Sequence, residues 1–118
     1  MNARVAQMFG GRGGSPTNVS FSGTVAALAL PDNASYVYLT GTSTPIVSAL
    51  SINPSQYGRI IVLENEGATS ITLTSTTSAW TEGQMDLGSA DITLATGDIV
   101  GLYVRKDGVV RRLFSTDN

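Results

Sequence analysis

The sequence predicts an all-β fold, a single β-sandwich or jelly-roll-like domain with an extended N-terminal arm. Three observations predict it. Thr, Ser, Gly, Val and Ile are plentiful, whereas the helix formers Glu, Lys and Gln are scarce. Apolar runs are short and are interrupted by turn residues at close intervals. Near the start, Gly10-Gly11-Arg12-Gly13-Gly14-Ser15-Pro16 places four glycines and a proline in seven residues. Neither a packed strand nor a helix accommodates that composition.

The expected division is therefore an arm with a glycine-rich hinge over residues 1–22 and a folded domain over residues 23–118. Ala3, Val5, Ala6, Met8 and Phe9 are apolar enough to need a surface to lie on. Val19-Ser20-Phe21-Ser22 alternates as a first strand would, and the apolar run Val25 to Leu30 stops at the turn residues Pro31-Asp32-Asn33. Tyr36 to Thr40 reads as a strand bounded by Gly41. Ile46 to Ile52 reads as another, with Pro45 at its start and Ile46, Leu50 and Ile52 on one face. Asn53 to Gly58 is a loop.

Ile60-Ile61-Val62-Leu63 is apolar on both faces, so that strand needs cover on two sides. Glu64-Asn65-Glu66-Gly67 supplies turn chemistry, and Ile71 and Leu73 then alternate with Ser and Thr. The expectation is a central β-hairpin. Thr76 to Ala90 has no clear period and holds the only Trp, Trp80. Asp91 to Ala95 and Ile99 to Arg105 read as strands. Lys106-Asp107-Gly108 is a hairpin turn, because Gly accepts positive φ and Asp tolerates it, and Val109 to Phe114 returns as the partner strand. No internal repeat is visible.

At 118 residues the chain has room for one domain with a real core. Its net charge of −2 is unevenly spread: residues 1–22 carry +2 and residues 23–118 carry −4. An acidic body argues against a nucleic-acid partner, which needs a track of Lys and Arg. There is no Cys and no His, which removes disulfides, Ser-His-Asp triads, Cys-His pairs and ordinary zinc sites. No apolar run reaches the roughly 20 residues of a membrane helix, so no membrane partner is expected. The start of the chain makes a poor signal peptide. The expectation is a protein that is not an enzyme and has no cofactor and no metal.

The acids that remain have alternative readings. Glu64 and Glu66 on one side of a strand, or Glu82 and Asp86 near Trp80, could form a carboxylate pair for glycoside hydrolysis; the competing reading is exposed strand-end and loop acids. Asp86, Asp91 and Asp98 could offer oxygen ligands to calcium, though their spacing matches no EF-hand. The glycine run 10–14 lacks the Gly-Lys-Ser/Thr of a phosphate loop, and Arg12 reads better as an anchor to a carboxylate on a partner. Arg105, Lys106, Arg111 and Arg112 concentrate on the last hairpin, either as a solvated edge that discourages aggregation or as a salt-bridging patch towards a neighbouring subunit.

Tyr38-Leu39-Thr40-Gly41, Gly58 to Asn65, Ile71-Thr72-Leu73-Thr74, Ala90 to Leu102 and the closing Gly108-Val109-Val110-Arg111-Arg112-Leu113 resemble the small β-modules of tailed-bacteriophage virion proteins, over about residues 36–114. Such modules occur in head fibres, tail fibres and capsid decoration proteins. The resemblance implies a homotrimeric surface protein of the virion, made in the host bacterial cytoplasm. The short length, the missing shaft repeat and the N-terminal arm look more like a capsid decoration (cement) protein, whose partners would be itself and the major capsid protein. On that reading Val5, Met8, Phe9 and Arg12 form the capsid-contact arm. Ile60, Val62, Arg105, Arg111 and Arg112 are candidates for the subunit interface. The alternative is a fibre tip that binds a receptor or glycan, with Trp80 and Tyr57 as contacts.

Overall fold

The computed structural model describes residues 17–77, 80–88 and 90–116. Arm residues Val5, Met8, Phe9 and Arg12, and the glycine run, lie outside the described residues. Among the described residues ten strands are present, and the all-β class holds. They are β1 (Thr17–Val25), β2 (Leu28–Ala29), β3 (Tyr36–Val47), β4 (Leu50–Ser51), β5 (Ile60–Asn65), β6 (Ile71–Leu73), β7 (Met85–Asp86), β8 (Ile92–Leu94), β9 (Ile99–Val104) and β10 (Val110–Thr116). β1 begins at Thr17 and pairs with β3, so residues 17–22 belong to the sheet and the expected boundary at residue 22 falls inside a strand.

The pairings correct the expected sandwich or jelly roll. Among the described residues five strand pairings are parallel and three antiparallel. A jelly roll is antiparallel throughout. Parallel neighbours need a long crossover, commonly a helix; here the crossovers are themselves strands. β1 lies parallel to β3 along nearly its whole length, from Thr17↔Val37 to Val25↔Val47. β2 lies parallel to β4, with Leu28 opposite Leu50. The first part of β3 then lies parallel to β5 and its last residues to β6. The chain thus winds through three stacked coils, β1–β2, β3–β4 and β5–β6, in the manner of a β-solenoid.

Each coil turns a corner at the same place. In β3 the corner falls at Ser43 and Thr44, both with positive φ (57° and 53°). β1 shifts register between Ser22 and Thr24 to follow it. Pro45, expected at a strand start, sits inside β3 just past this bend, where ladder bonding is already broken. The strand ends at Val47, so Ile46 to Ile52 is not one strand, and Val47 rather than Ile46 faces the core.

The third coil corrects the expected central hairpin. β5 and β6 do not pair with each other; β5 pairs with β3 and β9, and β6 with β3 and β8. The intervening residues form a corner, held by Asn65. This fully buried side chain donates Nδ2 to Thr69 O (2.9 Å) and Leu94 O (2.8 Å) and accepts at Oδ1 from Gly67 N (2.9 Å). Beyond β6 coiling stops. β8 packs antiparallel on β6, β9 on β5 and β10 on β9. The β9–β10 hairpin turns at Lys106–Gly108 as expected, with Gly108 at φ 86°.

One main core runs inside the coils, built from inward residues such as Leu39, Val47, Leu63, Leu73, Leu94 and Leu102. Truncating one such leucine to alanine costs about 2–5 kcal/mol. β5 is covered on both faces, as its composition requires. Ile61 and Leu63 join the main core, and Val62 joins a second small cluster with Tyr36 on the outer face, flanked by Tyr38, Ile60 and Ile99.

Candidate functional site

The outer face of β3, β5 and β9 gathers Tyr36, Tyr38, Ile60, Val62 and Glu64, with Arg111 opposite Tyr103 at its β10 margin. Pairing in register puts Tyr36 beside Val62, Tyr38 beside Glu64, Ile60 beside Tyr103, and Glu64 beside Ile99. Tyr36 donates its hydroxyl to Glu64 Oε1 at 2.6 Å, and the Tyr36 and Tyr38 rings meet edge to face at 5.6 Å. Burial, then the hydrogen bond and the charge of Glu64, push the Tyr36 phenol well above its ordinary value. Tyr38 is also raised, first by burial and then by the charges of Glu64 and Glu66.

Glu64 therefore departs from the expected exposed strand-end acid: it is 4% exposed. A buried carboxylate persists only where its oxygens find donors, and Tyr36 supplies one. Glu66, two residues on, is exposed. The two acids do not face each other across an open cleft.

Of the candidate interface residues, Val62 is fully buried within the chain and Ile60 half-buried. Arg105 pairs with Asp107 at 3.0 Å, and Arg111 lies 3.5 Å from Asp86. Arg112 is exposed, with its guanidinium alongside Gly88. β10 adds what the sequence reading passed over: Leu113 is 52% exposed and Phe114 36%; on β9 Tyr103, also 36% exposed, pairs with Arg111, and Gly101 with Phe114. A register shift between Arg112 and Phe114 breaks the alternation there. The signal was an apolar pair following two arginines at the end of a strand. Phe114 lies over Gly101, where a Cβ would clash with the edge of its ring.

A second group sits in the loops. Tyr57 donates its hydroxyl to Glu82, and that bond, ahead of burial, raises the Tyr57 phenol. Trp80 is 40% exposed and its indole Nε1 donates to Thr76 O at 2.6 Å. The remaining acids serve the backbone. Asp91 Oδ1 accepts from Ser75 N, Asp86 Oδ1 from Gly88 N and Asp98 Oδ2 from Ala95 N. Among the described residues no group of three or more acidic side chains is placed to hold a metal ion, so Asp86, Asp91 and Asp98 do not converge. A hollow of about 210 Å³ opens between β8 and the end of β10, lined by Ile92, Thr93, Leu94, Asp98, Ser115 and Thr116. Its one carboxylate, Asp98, is the one bonded to Ala95 N. Among the described residues no helix is long and apolar enough to cross a membrane.

The described site is thus a partly covered face: half-buried Tyr38, Ile60 and Ile99 around the buried Tyr36–Val62 pair, with exposed Tyr103 on β9 and exposed Leu113, Phe114 and two arginines on β10. No family model matches this chain, and no match is found among curated proteins or among solved structures.

Proposed function

We propose that this chain is a structural virion protein, a homotrimeric capsid decoration (cement) protein of a tailed bacteriophage. It would sit on the capsid surface, bridge subunits of the major capsid protein through residues 1–16, and do no catalysis. One observation carries this reading. Buried polar groups such as Asn65, Asp98 and Ser75 are bonded to the protein's own backbone, whereas apolar Leu113 and Phe114 stand exposed on β10 and Tyr103 on the neighbouring β9. Polar chemistry serves architecture, and exposed apolar surface suits contact with another protein. A trimer with three arms would gain by avidity, since each arm binds at high effective concentration once one is held.

The test is the native mass of the purified protein, with and without empty shells, for the full chain and for a chain lacking residues 1–16. The expected result is a trimer in both cases, with shell binding only by the full chain. Shell binding by the truncated chain would remove the arm assignment.

The loop group favours a second reading, a fibre module that binds a glycan. Trp80 is exposed and fixed through its indole nitrogen, a geometry that suits stacking on a sugar ring. A specific glycan-array hit that disappears in Trp80→Ala would favour this reading over the first.

A further inference from the structure

The first coil of the solenoid is open at its outer end. Among the described residues β1 pairs with β3 on one edge and with no strand on the other. Its inward side chains stay half-buried: Val19, Phe21 and Val25 lean on the core, whereas their stacked neighbours Leu39, Gly41 and Val47 on β3 are buried. A bare strand edge and an incompletely covered core therefore coincide. The terminal coils of a stacked array need a cap, and open edges are normally blunted by charge or proline. The nine residues of β1 contain neither.

The sequence just before β1 carries what such a cap needs. Ala3, Val5 and Phe9 share one face of an extended strand, with Gln7 between them, and Arg4 falls on the other face. The glycine-rich run 10–16 joins this stretch to Thr17 and has the backbone freedom to reverse direction.

We propose that residues 3–9 fold back antiparallel along β1 as an added strand that caps the first coil. The occupant of the open edge is thus a segment of the same chain. Phe9 comes opposite Thr17, Val5 opposite Phe21 and Ala3 opposite Gly23, along about 20 Å of the edge. Residues directly opposite share a face of the sheet, so Val5 and Phe9 close over the half-buried Val19 and Phe21. A slip by one residue turns Arg4 inward and Val5 and Phe9 outward, which fixes the parity of the register. Tethering favours this occupant over a second copy, because a segment joined to β1 meets that edge at high effective concentration. The cap belongs to the free chain and does not rest on the capsid reading; on that reading, attachment exchanges the β1 edge for the shell.

Amide hydrogen exchange tests the cap on the full chain, on a chain lacking residues 1–9, and on Val5→Asp/Phe9→Asp, which keeps the full length should the truncation disturb folding. Alternate β1 amides point away from β3. They are expected to exchange at least about tenfold more slowly in the full chain than in either variant, at a rate independent of protein concentration. Equal exchange in all three chains would overturn the cap. Protection that survives both changes, or grows with concentration, would also overturn it and give the edge to a second copy. The chain has no cysteine, so Ala6→Cys/Ser20→Cys, directly opposite in this register, should oxidise to a disulfide within one chain. A disulfide joining two chains would assign the strand to a neighbouring copy instead. No shell enters these measurements, so their failure leaves the capsid reading standing, and failed shell attachment leaves the cap standing.

Discussion

Tyr36 and Glu64, 28 residues apart in sequence, meet through a buried hydrogen bond of 2.6 Å across the β3–β5 pairing. Tyr36 is 1% exposed and Glu64 4%. Removing the hydroxyl with Tyr36→Phe keeps the ring and takes one donor from a buried carboxylate. The expected loss is about 1–3 kcal/mol of stability at neutral pH, read from urea unfolding midpoints. Tyr36→Phe/Glu64→Gln should recover part of it, because the uncharged amide is less costly to bury.

The same pair sets an alkaline limit. The Tyr36 phenol is raised in the folded chain, whereas an unfolded tyrosine ionises near ~10. Its contribution is therefore complete below about pH 10 and is lost as pH rises beyond that, since the unfolded chain releases the proton first. Tyr38 and Tyr57 are shifted in the same direction. Phenolate absorbance should show fewer tyrosines titrating near pH 10 in the folded chain than in urea. Tyr36→Phe should flatten the decline in stability above pH 10. Equal titration of all four tyrosines in native protein would refute this.

Phe114 covers Gly101 on the neighbouring strand so closely that a methyl group at Gly101 would displace the ring. Gly101→Ala should destabilise by about 1–3 kcal/mol through overpacking. In Phe114→Ala the space is open, so the glycine substitution should then cost almost nothing. A double-mutant cycle on thermal unfolding reads the coupling; additive effects would mean that the ring does not hold this position.

The strands were legible in the sequence because alternation is local. Tyr36–Thr40, Ile60–Leu63, Ile99–Arg105 and the turn at Lys106–Gly108 all follow from residues within one short window. Their partners were not legible. Stacked residues are 20 apart at Thr17↔Val37, 22 at Leu28↔Leu50 and 26 at Tyr36↔Val62. So irregular a spacing hides the coils from any search for a repeat. Glu64 to Gly67 suits a hairpin turn and a coil corner equally well, and the choice depends on Leu94, far along the chain. Glu64 read as exposed because charge at a strand end usually is; Tyr36, in another coil, makes the exception. The basic hairpin was visible as composition, whereas the exposure of Leu113 and Phe114 beside it depends on a register shift that no local pattern announces.

Asn65 is the residue on which the third corner depends. Its side chain satisfies two carbonyls and one amide, from Thr69, Leu94 and Gly67, at a site fully closed to solvent. Asn65→Ala removes all three bonds and leaves buried backbone groups unpaired, at about 1–3 kcal/mol each for those that water cannot reach. Asn65→Asp keeps the shape but turns a donor into an acceptor facing two carbonyl oxygens, so it should be the worse of the two. The expected order of melting temperatures is wild type, then Ala, then Asp, with amide exchange at Gly67 and Gly97 accelerated first, because Gly97 N donates to Asn65 O at 2.7 Å. An aspartate variant as stable as wild type would mean that the corner is held by its backbone alone.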